Sequence, residues 1–149
     1  MGKKLQSGVT ELKAMTEIVV RFSEADPLGI AWHGNYVKYF EDAREAFGQK
    51  YILSYLDILE NGYVAPLVKL SLEFRQALKY TEKAVVEITY INSDAAKIIF
   101  RYKVKRASNG ELVTTGETVQ VFVSTDGELS VTMPEFYKEW KKSLGLTDE

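Results

Sequence analysis

The sequence predicts an α+β domain built on an antiparallel sheet, and three observations carry that reading. Apolar residues Tyr36, Phe40, Ala43, Phe47 and Tyr51 recur at spacings of three and four, the period of one helical face. Downstream, segments rich in β-branched and aromatic residues follow one another, as in Val85-Val86-Glu87-Ile88-Thr89-Tyr90-Ile91. The turns between those segments are short, which favours antiparallel neighbours over helical crossovers. With 149 residues, 46% of them hydrophobic and 27% charged, the chain has the composition of one globular domain with a real core.

In chain order, residues 1–14 read as a loosely attached leader. Ile18, Val20 and Phe22 then alternate with Glu17, Val19 and Arg21, as in a half-buried strand. The main helix is expected over residues 35–51, with Asn35 as its N-cap, because an Asn side chain can accept from an early helical N–H. An irregular segment closes at Asn61-Gly62. Strands are expected over 64–74, 84–91, 97–106 and 112–124. Asn92-Ser93-Asp94 and Ser108-Asn109-Gly110 supply two of the turns, and Asp126-Gly127 ends the last strand. Thr132 and Glu135 have capping-box spacing ahead of a short C-terminal helix that carries Phe136, Tyr137, Trp140 and Leu144.

Composition removes several functions. The chain has no cysteine, which excludes disulfides, thiol nucleophiles and thiolate metal sites. Its single histidine, His33, argues against a zinc hydrolase, and no Gly-x-Ser-x-Gly elbow is present for a serine triad. Nineteen Lys and Arg against 21 Asp and Glu give a net charge of −2, which offers no support for nucleic-acid binding. No apolar run reaches the roughly 18 residues of a membrane span, and the N-terminal stretch lacks a signal-peptide core. The expected location is the cytoplasm.

The segment that carries chemistry is Asp26-Pro27-Leu28-Gly29-Ile30-Ala31-Trp32-His33-Gly34-Asn35-Tyr36. His33-Gly34-Asn35 precede the helical face, where backbone N–H groups lack partners and the helix dipole is positive. Such an end can polarise a carbonyl oxygen, while a carboxylate just upstream delivers or activates a nucleophile. That is the outline of an acyl-transfer site. A structural alternative stands beside each residue. Asp before Pro commonly starts a turn by accepting nearby N–H groups; Gly29 and Gly34 serve tight turns as well as close substrate approach; Asn35 and Tyr36 are explained by capping and packing. Tyr36, Phe40, Phe47 and Tyr63 could line an aryl pocket or simply face the core.

The pattern Asp-Pro-x-Gly-Ile-x-x-x-x-Asn-Tyr, continued by Tyr39-Phe40-Glu41-Asp42-Ala43-Arg44, resembles the signature of hotdog-fold thioesterases of the 4-hydroxybenzoyl-coenzyme A thioesterase family. The resemblance runs from about residue 16 to 125. It implies a sheet wrapped around the long helix and hydrolysis of an acyl-coenzyme A thioester, without a cofactor. By that resemblance Asp26 is the catalytic carboxylate, either as nucleophile or as general base. The backbone N–H at the position matching His33 then polarises the carbonyl, and the His33 side chain contacts substrate or orients water. Glu41 and Glu45 on the helix are fallback acids.

A coenzyme A substrate would bring phosphates, for which Arg75, Lys79, Arg101 and Lys103 are candidate partners, with Lys105 on the same strand face as the last two. Solvated sheet faces commonly carry such charges without binding anything. The resembling proteins form homodimers through a continuous sheet and pair again into homotetramers, with sites at the dimer interface. Two alternatives remain open: an acyl carrier protein thioesterase, and a non-catalytic acyl or acyl-coenzyme A binding module. Asp26 fully engaged in turn bonds and directed away from a pocket would favour the module.

Overall fold

The computed structural model describes residues 11–147. Strand β1 (Lys13–Val19) starts within the expected leader, with Leu12 and Ala14 already buried; residues 1–10 lie outside the described part. A 3-10 turn (Phe22–Glu24) leads to the long helix α1 (Asn35–Tyr51), then to short α2 (Tyr55–Glu60). Strands β2 (Tyr63–Val64), β3 (Leu67–Phe74), β4 (Lys83–Ile91), β5 (Lys97–Arg106), β6 (Leu112–Val121) and β7 (Val123–Ser124) follow, and α3 (Glu135–Ser143) closes the chain.

Five strands form one antiparallel sheet in the order β1-β4-β5-β6-β3, and β2 pairs with β7 in a separate ribbon. The sheet curves about α1, so the hotdog arrangement is the observed fold. Alternation sets the two faces: Val86, Ile88, Ile98, Phe100, Tyr102 and Val104 are buried towards the helix, while Arg101, Lys103 and Lys105 point away from it. The α1 stripe is core. Phe40 stacks on Tyr102 with centroids 4.1 Å apart, and Phe47 meets Phe100 edge-on at 4.8 Å. At the other end of α1, Trp140 of α3 donates its indole N–H to the Tyr51 carbonyl at 2.7 Å. No helix among the described residues is long and apolar enough to cross a membrane.

Several sequence expectations need correction. Phe22 leaves the strand and stands in solvent. The expected strand over 64–74 is broken at Ala65-Pro66, because proline cannot donate to a ladder. The strand over 112–124 breaks at Phe122, which turns into the core beside Tyr137 at 4.9 Å. Thr132 does not cap α3: Pro134 occupies the N-cap, and the Thr132 carbonyl accepts from Ser130 Oγ instead. The segment read as irregular contains α2, capped by a Ser54–Asp57 box in which Ser54 Oγ accepts the Asp57 N–H at 3.1 Å.

The close seat of α1 on the sheet depends on Gly116 of β6. A Cβ there would run into the Phe40 ring and come within 2.8 Å of the Ser71 carbonyl oxygen. Gly116→Ala is therefore expected to destabilise the fold by about 1–3 kcal/mol through overpacking. Chemical denaturation checks this; an unchanged midpoint would mean that Phe40 moves aside freely.

Candidate active site

The site is organised by a residue the sequence did not single out. Glu24 is 3% exposed, and its carboxylate is met from four directions. Oε1 accepts the Arg21 N–H at 3.0 Å and the Tyr39 hydroxyl at 2.9 Å. Oε2 accepts from Lys38 Nζ at 3.2 Å and Arg21 Nη2 at 3.4 Å. Burial opposes its charge, but the Arg21 N–H, the Tyr39 hydroxyl and Lys38 outweigh that cost and hold the carboxyl below the ordinary glutamate value. Tyr39 is shifted the other way, its phenol raised by burial and by donation to Glu24.

The Glu24 backbone works as well. Its carbonyl accepts the Trp32 N–H at 2.9 Å and Asn35 Nδ2 at 2.7 Å. Asn35 is thus the first residue of α1 and a tie to Glu24, while Gly34 takes the N-cap position expected for it. Asn35, Lys38 and Tyr39 are spaced three and four apart, so one face of α1 grips one residue.

Between Glu24 and Trp32 the chain makes a narrow hairpin. Asp26 N–H donates to Ile30 O at 2.8 Å, and Gly29 N–H to Asp26 O at 2.9 Å, with Gly29 at φ 78°. This left-handed value is why glycine follows the turn. Asp26 Oδ1 accepts the Leu28 N–H at 2.9 Å and, more weakly, the Ile30 N–H at 3.4 Å. Among the described residues Oδ2 has no hydrogen-bond partner. The turn therefore engages one carboxylate oxygen of a half-buried Asp26 and leaves the other.

Seven residues on, His33 stands two residues ahead of α1. The His33 and Gly34 N–H groups have no acceptor among the described residues, whereas the two amides after them are used: Asn35 N–H bonds Trp32 O at 2.9 Å and Tyr36 N–H bonds His33 O at 3.3 Å. The exposed His33 ring lies 4.9 Å from the Trp32 ring and 6.3 Å from Phe74. Gly34 is needed for space, since a Cβ would overlap the Trp32 indole. Tyr36 is buried against Phe74 at 5.4 Å, which accounts for it as packing.

A second anchor holds the hairpin from the other side. Ala31 N–H donates to Leu78 O at 2.8 Å, and Tyr80 N–H to Gly29 O at 3.0 Å. Segment 76–82 is fixed in turn by Arg106, which pairs with Glu82 and donates to Gln76 Oε1 and Ala77 O, both at 3.0 Å. Glu82 also accepts the Lys79 N–H at 2.8 Å. Arg106 therefore keeps the Glu82 carboxyl, too, below its ordinary value despite the opposing effect of burial.

A profile of the thioesterase-like superfamily matches residues 20–141. The chain belongs to that superfamily. A putative acyl-CoA thioesterase, YneP of Bacillus subtilis (strain 168), is 26% identical over 124 residues, covering 83% of this chain and 89% of the relative. The 4-hydroxybenzoyl-CoA thioesterase of Pseudomonas sp. (strain CBS-3) is 26% identical over 115 residues, covering 73% and 82%. Among solved structures, a DHNA-CoA thioesterase from Staphylococcus aureus superposes with a TM-score of 0.78 at 28% identity, over 90% of this chain and 92% of that one.

Within this superfamily member, the candidate residues divide into two groups. Asp26, Gly29, His33, Gly34, Asn35 and Tyr36 share the hairpin and helix start, and Lys79 borders them through its bridge to Ile30. Arg75 follows Phe74 and pairs with Glu73 at 3.6 Å. Arg101 and Lys103 stand apart, on the sheet face away from α1, beside a groove of about 610 Å³ whose walls include Lys13, Glu87 and Glu117. Arg101 pairs there with Glu117 at 3.3 Å and Lys105 with Glu87 at 3.2 Å. One chain alone does not bring these cations to Asp26. Of the fallback acids, Glu41 and Glu45 are exposed on α1, Glu41 lying 3.8 Å from Arg44. Among the described residues no three His, Asp or Glu side chains gather in metal-ligand geometry.

Glu24 and Glu82 make stability acid-sensitive. Both carboxyls titrate below the ordinary value of 4.5 in the folded protein, so their stabilisation is complete above that pH and is lost as pH falls through the lowered values. Denaturant midpoints should therefore fall as pH drops below 4.5, and the double variant Glu24→Gln/Glu82→Gln should show a flatter acid limb. An unaltered slope in that variant would remove these two groups as the cause.

Proposed function

We propose that the protein hydrolyses an acyl-coenzyme A thioester to the free acid and coenzyme A, with Asp26 as the reacting carboxylate. The observation that carries this reading is the pairing of an unengaged Asp26 Oδ2 with an unengaged His33 N–H, on a hairpin tied down at both ends. The names borne by the B. subtilis and Pseudomonas relatives support the same chemistry. As general base, Asp26 takes a proton from water while the water oxygen adds to the thioester carbonyl carbon. As nucleophile, it forms an acyl anhydride that water then opens. In either route the C–S bond breaks, the proton goes to the coenzyme A thiolate, and the His33 N–H faces the carbonyl oxygen as it gains charge. A single such donor is worth roughly a hundredfold in turnover. Phosphates of the carrier would meet Lys79 and Arg75 from the same chain, with Arg101 and Lys103 supplied from a neighbouring one.

The active form on this reading is a homodimer, paired again into a tetramer, working in the cytoplasm. Strand β3 is a sheet edge with Val68 59% and Leu70 40% exposed. An apolar open edge of this kind is normally covered, and a second copy covers it by extending the ladder. The bond from Leu28 to Asp26 Oδ1 is what a binding module would also show, so activity must decide between the readings.

Thiol release from a panel of acyl-, aryl- and hydroxyaryl-coenzyme A substrates tests this. Asp26→Asn should keep the fold and lose about 10²–10⁴-fold in turnover, the usual contribution of a positioned acid or base. Equal turnover would move the chemistry to Glu41 or Glu45; no turnover by the wild type would favour a carrier-protein substrate or a binding module. Leu70→Lys should yield monomers in sedimentation and lose activity, and a Leu70→Lys dimer would show that β3 is not the interface.

A further inference from the structure

We infer that Glu24 is a positioning residue for the reaction: it sets the distance between the Asp26 carboxylate and the helix-start amide of His33. This inference rests on the proposed role of Asp26. Segment 25–34 carries both reacting groups, and Glu24 holds both of its ends. At the near end Glu24 is covalently two residues from Asp26. At the far end its carbonyl receives the Trp32 N–H at 2.9 Å, one residue before His33. The segment is thus a noose closed on Glu24. The carboxylate then locks that closure to α1 through Tyr39 and Lys38, and the carbonyl does so through Asn35. Rotation of Glu24 would carry the hairpin and the helix start apart together.

A fold-only role for this carboxylate fits the burial less well. An apolar side chain could fill this buried position with no desolvation cost to offset, whereas the carboxylate needs its four donors to outweigh that cost. What a carboxylate adds is direction, since four donors on two oxygens permit one orientation of the side chain. Positioning at this level matters for turnover more than for affinity, because a misplacement of about 1 Å can cost on the order of a hundredfold in rate.

The experiment compares kcat and KM of the wild type, Glu24→Gln and Tyr39→Phe on the acyl-coenzyme A that the wild type turns over fastest, with melting recorded for each. Glu24→Gln keeps the size and one acceptor oxygen but turns an amide N–H₂ towards Lys38 and Arg21. The expected result is a kcat loss of ten- to a hundredfold with KM within about threefold of wild type, measured well below the melting temperature. Tyr39→Phe removes one donor and should show a smaller loss in the same sense. Combined with Glu24→Gln, it should add little further, because both changes release the same tie. Wild-type kcat in a folded Glu24→Gln overturns the inference, as does a loss confined to melting temperature. Should Glu24→Gln fail to fold, Tyr39→Phe decides: a lowered kcat at native stability sustains the inference, and an unchanged kcat ends it. Full activity in Asp26→Asn would instead remove the reading on which the inference rests, whatever the Glu24 variants do.

Discussion

The buried carboxylate of Glu24 is the fixed point on which the rest of the site depends. Hairpin 25–31 buries little of its apolar surface: Pro27, Leu28 and Gly29 are exposed, and Ala31 alone among its residues is buried. A loop of that kind is ordered by hydrogen bonds rather than by burial. Those bonds come from two places, Glu24 with its grip on α1 and segment 76–82 with its brace at Arg106. Each brace uses an ion pair placed where it also satisfies backbone groups, so the charges orient main chain rather than merely neutralising one another.

That grip is useful only if α1 itself cannot shift, and the sheet provides this. Phe40 lies flat on Tyr102 over Gly116, the one position on β6 where a missing side chain lets the ring approach the strand. One turn earlier, Tyr36 packs on Phe74 at the end of β3. Two aromatic contacts thus fix the first half of α1 against β5, β6 and β3. At the other end, the bond from Trp140 to Tyr51 O satisfies a carbonyl that the helix terminus leaves open. The helix start is placed by the whole fold, which is how the unused His33 N–H is kept away from other acceptors.

Elements with a strong period were legible in the sequence. Helix α1 runs over the residues its apolar stripe marks, and β5 over the expected 97–106. Where boundaries went astray, a single residue overrode the pattern. Pro66 splits one strand, Phe122 turns inward to join the core, and Pro134 takes the cap for which Thr132 has the spacing. The Asp26 hairpin was legible because its residues are contiguous. Glu24 was not, since its meaning lies in Lys38 and Tyr39, 14 and 15 residues away. One trace was present: Asn35, Lys38 and Tyr39 put three polar groups on neighbouring turns of a helix otherwise read for its apolar stripe. Glu82 and Arg106, 24 residues apart, left no local trace at all.

A thioester reaction on this hairpin needs somewhere dry for the acyl group, and the fold narrows where that can be. The aromatic stripe of α1 is unavailable, because Tyr36, Phe40 and Phe47 are at most 2% exposed and packed within their own chain. The exposed apolar side chains near Asp26 and His33 include Leu28 and the rings of Trp32 and Phe74, each ring 51% exposed and close to the His33 ring. In a lone chain those two rings stay half exposed, an open platform that would leave a thioester bound there in contact with water. Phe74 is the last residue of β3, the strand whose outer edge is unpaired. A second copy laid along that edge would therefore roof the platform at the same time as it completes the sheet. On the proposed reading, assembly and exclusion of water are one event, and the monomer holds the reacting groups in place without holding the substrate.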